Sequence, residues 1–195
     1  MNMQDWFGLV AGVLSASCYV PYIRDILSGT TRPERATWLI WTVLGLILLV
    51  SQLAKGASAS VWLTVAQTAG VTTIFLLSLK YGEGGLARSD IVALGVAAAG
   101  LVAWYFTREA SVALSIAIGV DFSGGILSVV KAYRDPESET ALTWLIAAFA
   151  GVFGILAVGL DGSIALLAFP TYYVIISLML YGAIQLGHRK GAPRA

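Results

Sequence analysis

The chain is poor in the residues that most chemistry needs. Cys18 is its only cysteine and His188 its only histidine, so an internal disulfide, a cysteine-rich metal site and a histidine-based zinc site inside the protein are all excluded. A Ser-His-Asp arrangement is excluded with them. No metal-ligand cluster, nucleophile motif or glycine-rich phosphate loop is present, so neither an enzyme nor a bound cofactor is expected. The formal net charge is only +1, and no basic stripe is interleaved with aromatics, which removes nucleic acid as a partner. Charged residues make up 12% of the chain, against about 25% in soluble domains. Too few charges remain to cover a water-facing surface. No polar stretch exceeds roughly a dozen residues, so a soluble domain of any size is absent.

Long apolar runs are abundant, and hydrophobic residues form 58% of the chain. A spanning helix needs about 20 mostly apolar residues. Seven stretches qualify: Trp6–Leu27, Ala36–Ala54, Ser58–Leu79, Ser89–Phe106, Ala110–Ala132, Leu142–Leu160 and Ser163–Leu186. Lipid offers backbone groups no hydrogen-bond partner, so such runs must be helices or a closed barrel. They are too long for barrel strands and do not alternate with period two. The expected fold is an all-α integral membrane bundle of seven transmembrane helices. The first run lacks the basic start and small-residue cleavage site of a signal peptide and reads as a retained helix. Basic residues set the orientation. Arg24, Arg32, Arg35, Lys80, Arg88, Lys131, Arg134, Arg189, Lys190 and Arg194 fall on one side, and only Lys55 and Arg108 on the other. This predicts an outside N-terminus and a cytoplasmic C-terminus, in a cell membrane of the bacterial inner-membrane kind.

The chain is internally duplicated. Thr37-Trp38-Leu39-Ile40 recurs 106 residues on as Thr143-Trp144-Leu145-Ile146, and Gly45 recurs as Gly151. Carried backwards, the same offset sets Pro21-Tyr22 over Leu127-Ser128. In the third helices Tyr81-Gly82 echoes Tyr181-Gly182, which implies a register drift of a few residues. The repeat unit is three helices. One extra helix between the copies makes both enter the membrane in the same sense, the plan of parallel transporter repeats. The expected organisation is 3+1+3: a first triple-helix bundle over residues 1–82, a linker helix over 83–109, and a second bundle with a short tail over 110–195.

Val20-Pro21-Tyr22 late in the first helix, the connector Ser28-Gly29-Thr30-Thr31-Arg32-Pro33-Glu34, and the second connector Asp135-Pro136-Glu137-Ser138-Glu139-Thr140 before Thr143-Trp144 carry a family resemblance. The chain resembles the PQ-loop superfamily, which includes the SWEET sugar transporters and the half-size SemiSWEETs. Tyr22 stands where the family has Gln. Permeases for nicotinamide riboside share the layout. The resemblance implies alternating-access transport of a small polar solute, a sugar or similar metabolite, through a site between the two bundles. A homo-oligomer is compatible with it. The rival expectation is a non-transporting receptor, scaffold or lipid-handling accessory protein, because fold alone does not settle function.

Asp121 is the leading site residue. An ionised aspartate near mid-membrane costs about 2.5–3.5 kcal/mol, so it must face a cavity or a partner. The resemblance implies that the third and seventh helices line the solute site with amides. Gln67 fits that role, and Tyr172 or Tyr173 would substitute in the last helix. Trp41, one turn deeper than Trp38, could stack on a ligand ring, and Tyr19 faces the same cavity. Trp38 and Trp144, like Trp6, Trp62 and Trp104, read as interfacial belt residues. Pro21 removes a backbone hydrogen bond and marks a hinge, with Gly124 and Gly125 as its counterpart. Arg24, Asp25 and Arg35, with Lys131 opposite, form a candidate gate of exposed ion pairs.

Overall fold

The computed structural model describes residues 2–29, 33, 35–82, 84–85, 88–107, 109–159 and 162–191, without the side chains at 89, 90, 93, 94, 97, 100, 101, 110, 123, 124, 127, 131, 138 and 191. Arg32, the surroundings of Gly124 and the side chain of Lys131 therefore lie outside the described residues. Among those residues the protein is all-helical. Its α-helices are α1 (Met3–Ser28), α2 (Arg35–Ala54), α3 (Val61–Tyr81), α4 (Arg88–Thr107), α5 (Ala110–Arg134), α6 (Ala141–Val158) and α7 (Ile164–Gly191), with one 3-10 turn at Pro136–Ser138. Five of them, α1, α2, α3, α6 and α7, are long and apolar enough to cross a membrane.

Helix ends outrun the apolar runs where local chemistry allows. Asn2 and Asp5 form a reciprocal capping box, Asn2 Oδ1 accepting from the Asp5 amide at 2.8 Å, which starts α1 before Trp6. Gly29, at φ 79°, supplies the left-handed residue that ends it. Pro21 and Pro170 sit inside α1 and α7, and both helices continue through them. Large apolar side chains point outward along the bundle, among them Trp6, Leu46, Leu76, Phe149 and Leu178. Water would penalise that surface; lipid does not.

The packing repeats. In the first triplet α3 lies between α1 and α2, and in the last triplet α7 lies between α5 and α6. Across the middle α1 packs on α6, and α2 packs on α5. These two cross-contacts exchange when each helix is replaced by the one four places later. Helix α4 lies against α5 and α2. Burial follows the same 106-residue offset. Buried Ala11, Tyr19 and Ile26 of α1 are matched by buried Ala117, Gly125 and Ala132 of α5. In the third helices, Leu63, Val71, Ile74 and Ser78 are matched by Phe169, Ser177, Leu180 and Ile184. The register drift suggested by Tyr81-Gly82 and Tyr181-Gly182 is thus corrected: packing holds one offset throughout, because side-chain burial depends on helix phase rather than on residue identity.

The matched positions also trade large for small. A Cβ on Gly70 would meet the Tyr19 ring, its nearest atom at 2.2 Å, and a Cβ on Gly125 would meet Ile176 at 2.7 Å. Gly125 is the counterpart of Tyr19, and Ile176 that of Gly70. In α1 and α3 the bulk is on the first helix and the gap on the third. In α5 and α7 the bulk and the gap are reversed.

Candidate functional site

Between the two triplets lies a cavity of about 430 Å³, within the range of small-molecule sites. All six residues singled out for solute contact, Asp121, Gln67, Trp41, Tyr172, Tyr173 and Tyr19, line it. They come from five helices, which is why no local motif announces the site. Many of its walls come in pairs at the 106-residue offset: Tyr22 with Ser128, Thr37 with Thr143, Trp38 with Trp144, Trp41 with Ala147, Tyr19 with Gly125, and Gln67 with Tyr173.

Asp121 stands thirteen residues before the end of α5, roughly 20 Å along the helix. It is half-buried, and the Tyr172 hydroxyl donates a hydrogen bond to its Oδ2 at 2.5 Å. The Trp41 indole lies beside the same carboxylate. Tyr172 and Tyr173 are buried. Tyr173 of α7 lies beside Tyr19 and Cys18 of α1 in the cavity wall. Gln67 Oε1 accepts from the Thr68 hydroxyl at 3.4 Å, a long bond that leaves the amide group available. The Thr143 hydroxyl in the cavity wall is buried and has no partner among the described residues.

Other residues of the wall were not anticipated as site residues. Glu139 lies at the cavity edge, where its Oε2 accepts from Trp144 Nε1 at 3.3 Å. Trp38 is only 8% exposed; it meets Trp41 edge-on at 4.9 Å and Tyr22 at 5.2 Å. The belt reading of Trp38 and Trp144 is therefore corrected: both face the cavity, because nearness to a helix end fixes depth but not which way a ring points. Trp6 and Trp62 do point outward. The duplication of Trp38 and Trp144 was the signal that could have found them.

The hinge and gate residues divide. Pro21 lies one residue before Tyr22, which is in the wall. Gly125 also lines the cavity, and its bare face seats Ile176, so its demonstrated job is close packing. Arg24 is exposed and Asp25 half-buried at the end of α1. Arg35 has a different task from a latch. Its guanidinium donates to the carbonyls of Ser78, Gly82 and Gly84 at 3.0, 2.6 and 3.1 Å, which caps the end of α3.

The two ends of the bundle differ. The cavity wall includes Thr37, Glu139 and Thr140, at or just before the starts of α2 and α6. At the opposite end the helices close tightly. A Cβ on Gly8 would fall 2.1 Å from the Ala59 carbonyl oxygen, and one on Gly159 would fall 2.6 Å from Gln4 Nε2. Phe7 packs on Phe153 with ring centres 6.0 Å apart. Lys55 pairs with Glu109 at 3.0 Å across the same end.

No protein-family model matches the chain, and neither a curated protein nor a solved structure matches it.

Proposed function

We propose that this chain is a SWEET-like alternating-access carrier of a small polar solute, built as a 3+1+3 bundle with two parallel triple-helix repeats. In this reading α4 and α5 cross the membrane along with the five more apolar helices. The first bundle spans residues 1–82, α4 is the linker, and the second bundle begins at residue 110. The matched packing of α1–α3 and α5–α7 supports the duplication, as does their shared burial register. The basic bias puts the Arg35 and Arg134 end in the cytoplasm, in a cell membrane.

One observation carries the functional reading: a mostly apolar and aromatic cavity lies where the two triplets meet, with residues from equivalent positions on both sides and a carboxylate in its wall. A carrier needs a site that two equivalent halves can expose in turn. The described arrangement suits a cytoplasm-facing state. Solute entering past Tyr22, Trp38 and Glu139 would reach Asp121, Gln67 and the Tyr172 hydroxyl. Release on the far side requires the Gly8–Ala59 and Phe7–Phe153 contacts to part while the aromatic mouth closes. Pro21, which lacks an amide hydrogen for its helix, is the place where α1 bends at least cost.

Reconstitution tests this. Purified protein in liposomes should carry radiolabelled polar solutes down their gradients, saturably, from a panel spanning sugars, amino acids, amines and nucleosides. Binding without flux across that panel, in protein shown to be folded, would overturn the carrier reading in favour of a receptor.

A further inference from the structure

The cavity's chemistry narrows the solute further, on the premise that the cavity is the solute site. Two carboxylates, Asp121 and Glu139, belong to its wall. Among the described residues, no lysine, arginine or histidine lines it. A site built for an anion, or for a phosphorylated sugar, would need basic donors that this wall lacks. A carboxylate can accept from a sugar hydroxyl, but only a cation also neutralises its charge.

The aromatic groups point the same way. Trp38, Trp41 and Trp144 all belong to the wall, and Tyr22 sits against Trp38. Indole faces are the strongest aromatic partners for cations, and the attraction grows when water is excluded. Two of the indoles also lie beside carboxylates: Trp41 is a neighbour of Asp121, and Trp144 donates to Glu139. The volume of about 430 Å³ is far more than a metal ion needs. Apolar neighbours such as Phe169 and Ile176 suit carbon-bound substituents rather than a hydration shell.

We infer that the cavity selects a small organic cation, a quaternary or protonated amine carrying alkyl or aromatic groups. Asp121 supplies the charge partner within the cavity, Glu139 attracts the cation at the edge, and the indoles cover its apolar surface.

The test compares charged and uncharged molecules of one shape on the full chain in detergent, at constant ionic strength. Tetramethylammonium, choline, benzylammonium and N-methylpyridinium are the cationic probes. Choline's uncharged carbon isostere dimethylbutanol, benzyl alcohol, glucose and benzoate are the controls. Tryptophan fluorescence and thermal shift report binding. At least one cation should bind saturably and quench tryptophan emission, its uncharged counterpart should not, and benzoate should not. Asp121→Asn should weaken the cation by about tenfold or more, the scale of one lost charge contact. Trp41→Phe, which keeps the shape of an aromatic wall, should weaken it by a smaller factor and so guards against misfolding of the first variant. Binding or flux of glucose with no preference for any cation would overturn the cation inference and leave the carrier reading standing. Cation binding without flux would uphold the inference and overturn the carrier reading. If nothing in either set binds folded protein, the cation inference falls, and the carrier reading stands or falls on the wider flux panel.

Discussion

The first and last helix triplets bury many of the same positions and arrange their helices alike, yet they face the cavity with different chemistry. Ser15 of α1 occupies the place that Asp121 holds in α5. Ser15 is fully buried and its hydroxyl has no partner among the described residues, whereas Asp121 lies in the cavity wall with the Tyr172 hydroxyl bonded to it. Gly125 stands at the place of Tyr19 in the repeat, and Ala147 at the place of Trp41. The difference teaches that helix phase can be held constant while the groups projected from it change freely. Packing demands a given volume at each layer; a ligand demands particular atoms on one side.

That comparison can be broken by forcing one triplet to resemble the other. The largest effect is expected from Ser15→Asp. It puts the charge of α5 into α1, where no cavity receives it. We expect a loss of about 3 kcal/mol or more, read as a marked fall in melting temperature in detergent, or no folded yield. A well-folded Ser15→Asp protein would mean that the two triplets are electrostatically equivalent.

Next comes the reversed bulk. Gly70→Ile alone should cost about 2–3 kcal/mol, because the added side chain meets the Tyr19 ring. The double variant Tyr19→Gly with Gly70→Ile copies the α5–α7 arrangement and should cost less than the sum of the two single losses. A double-mutant cycle by thermal or denaturant unfolding gives the coupling, expected at about 1–2 kcal/mol. Simple additivity would make the mirrored packing a coincidence.

Tyr172→Phe sharpens the comparison at the cavity. It removes the only hydroxyl shown bonding to Asp121 and should lower stability by about 1–2 kcal/mol. It should also weaken binding of a cationic probe by a fewfold. Tyr173→Phe, which leaves Asp121 untouched, should lower stability without weakening that binding as much.

The smallest effect is expected at Glu109, beside the start of α5. The Lys55 ammonium holds its carboxyl below the usual glutamate range. A depressed folded value means that the pair's contribution is complete at neutral pH and fades as pH falls through that folded value. Glu109 is exposed, so screening keeps the contribution small. Glu109→Gln should barely move the melting temperature at pH 7 and should flatten its decline below the ordinary glutamate range.

Much of the helix layout is legible in the residues. Apolar runs located all seven α-helices among the described residues, because a long apolar run has no better way to pair its backbone in an apolar surrounding. Asp121 stood out since an isolated acid deep in such a run needs a reason. The rest depended on azimuth, which spacing alone does not give. Trp38 and Trp144 sat where belt residues sit, and only their orientation distinguishes cavity from interface. Glu139 looked like ordinary connector charge until the start of α6 placed it at the cavity edge. Arg35 looked like half of an ion pair, while its guanidinium is committed to three backbone carbonyls. The third-helix register was misread for a related reason. A matching dipeptide is a weaker marker of phase than a run of buried positions.

That commitment of Arg35 has a mechanical consequence. Hydrogen bonds from one side chain at the head of α2 to three carbonyls at the tail of α3 act as a rivet between two antiparallel rods. Sliding one rod along the other would strip a half-buried charge of its acceptors, so α2 and α3 travel as a single plate. Any cycle of the first triplet must then be driven by the tilt of that plate or by flexing of α1 beside it.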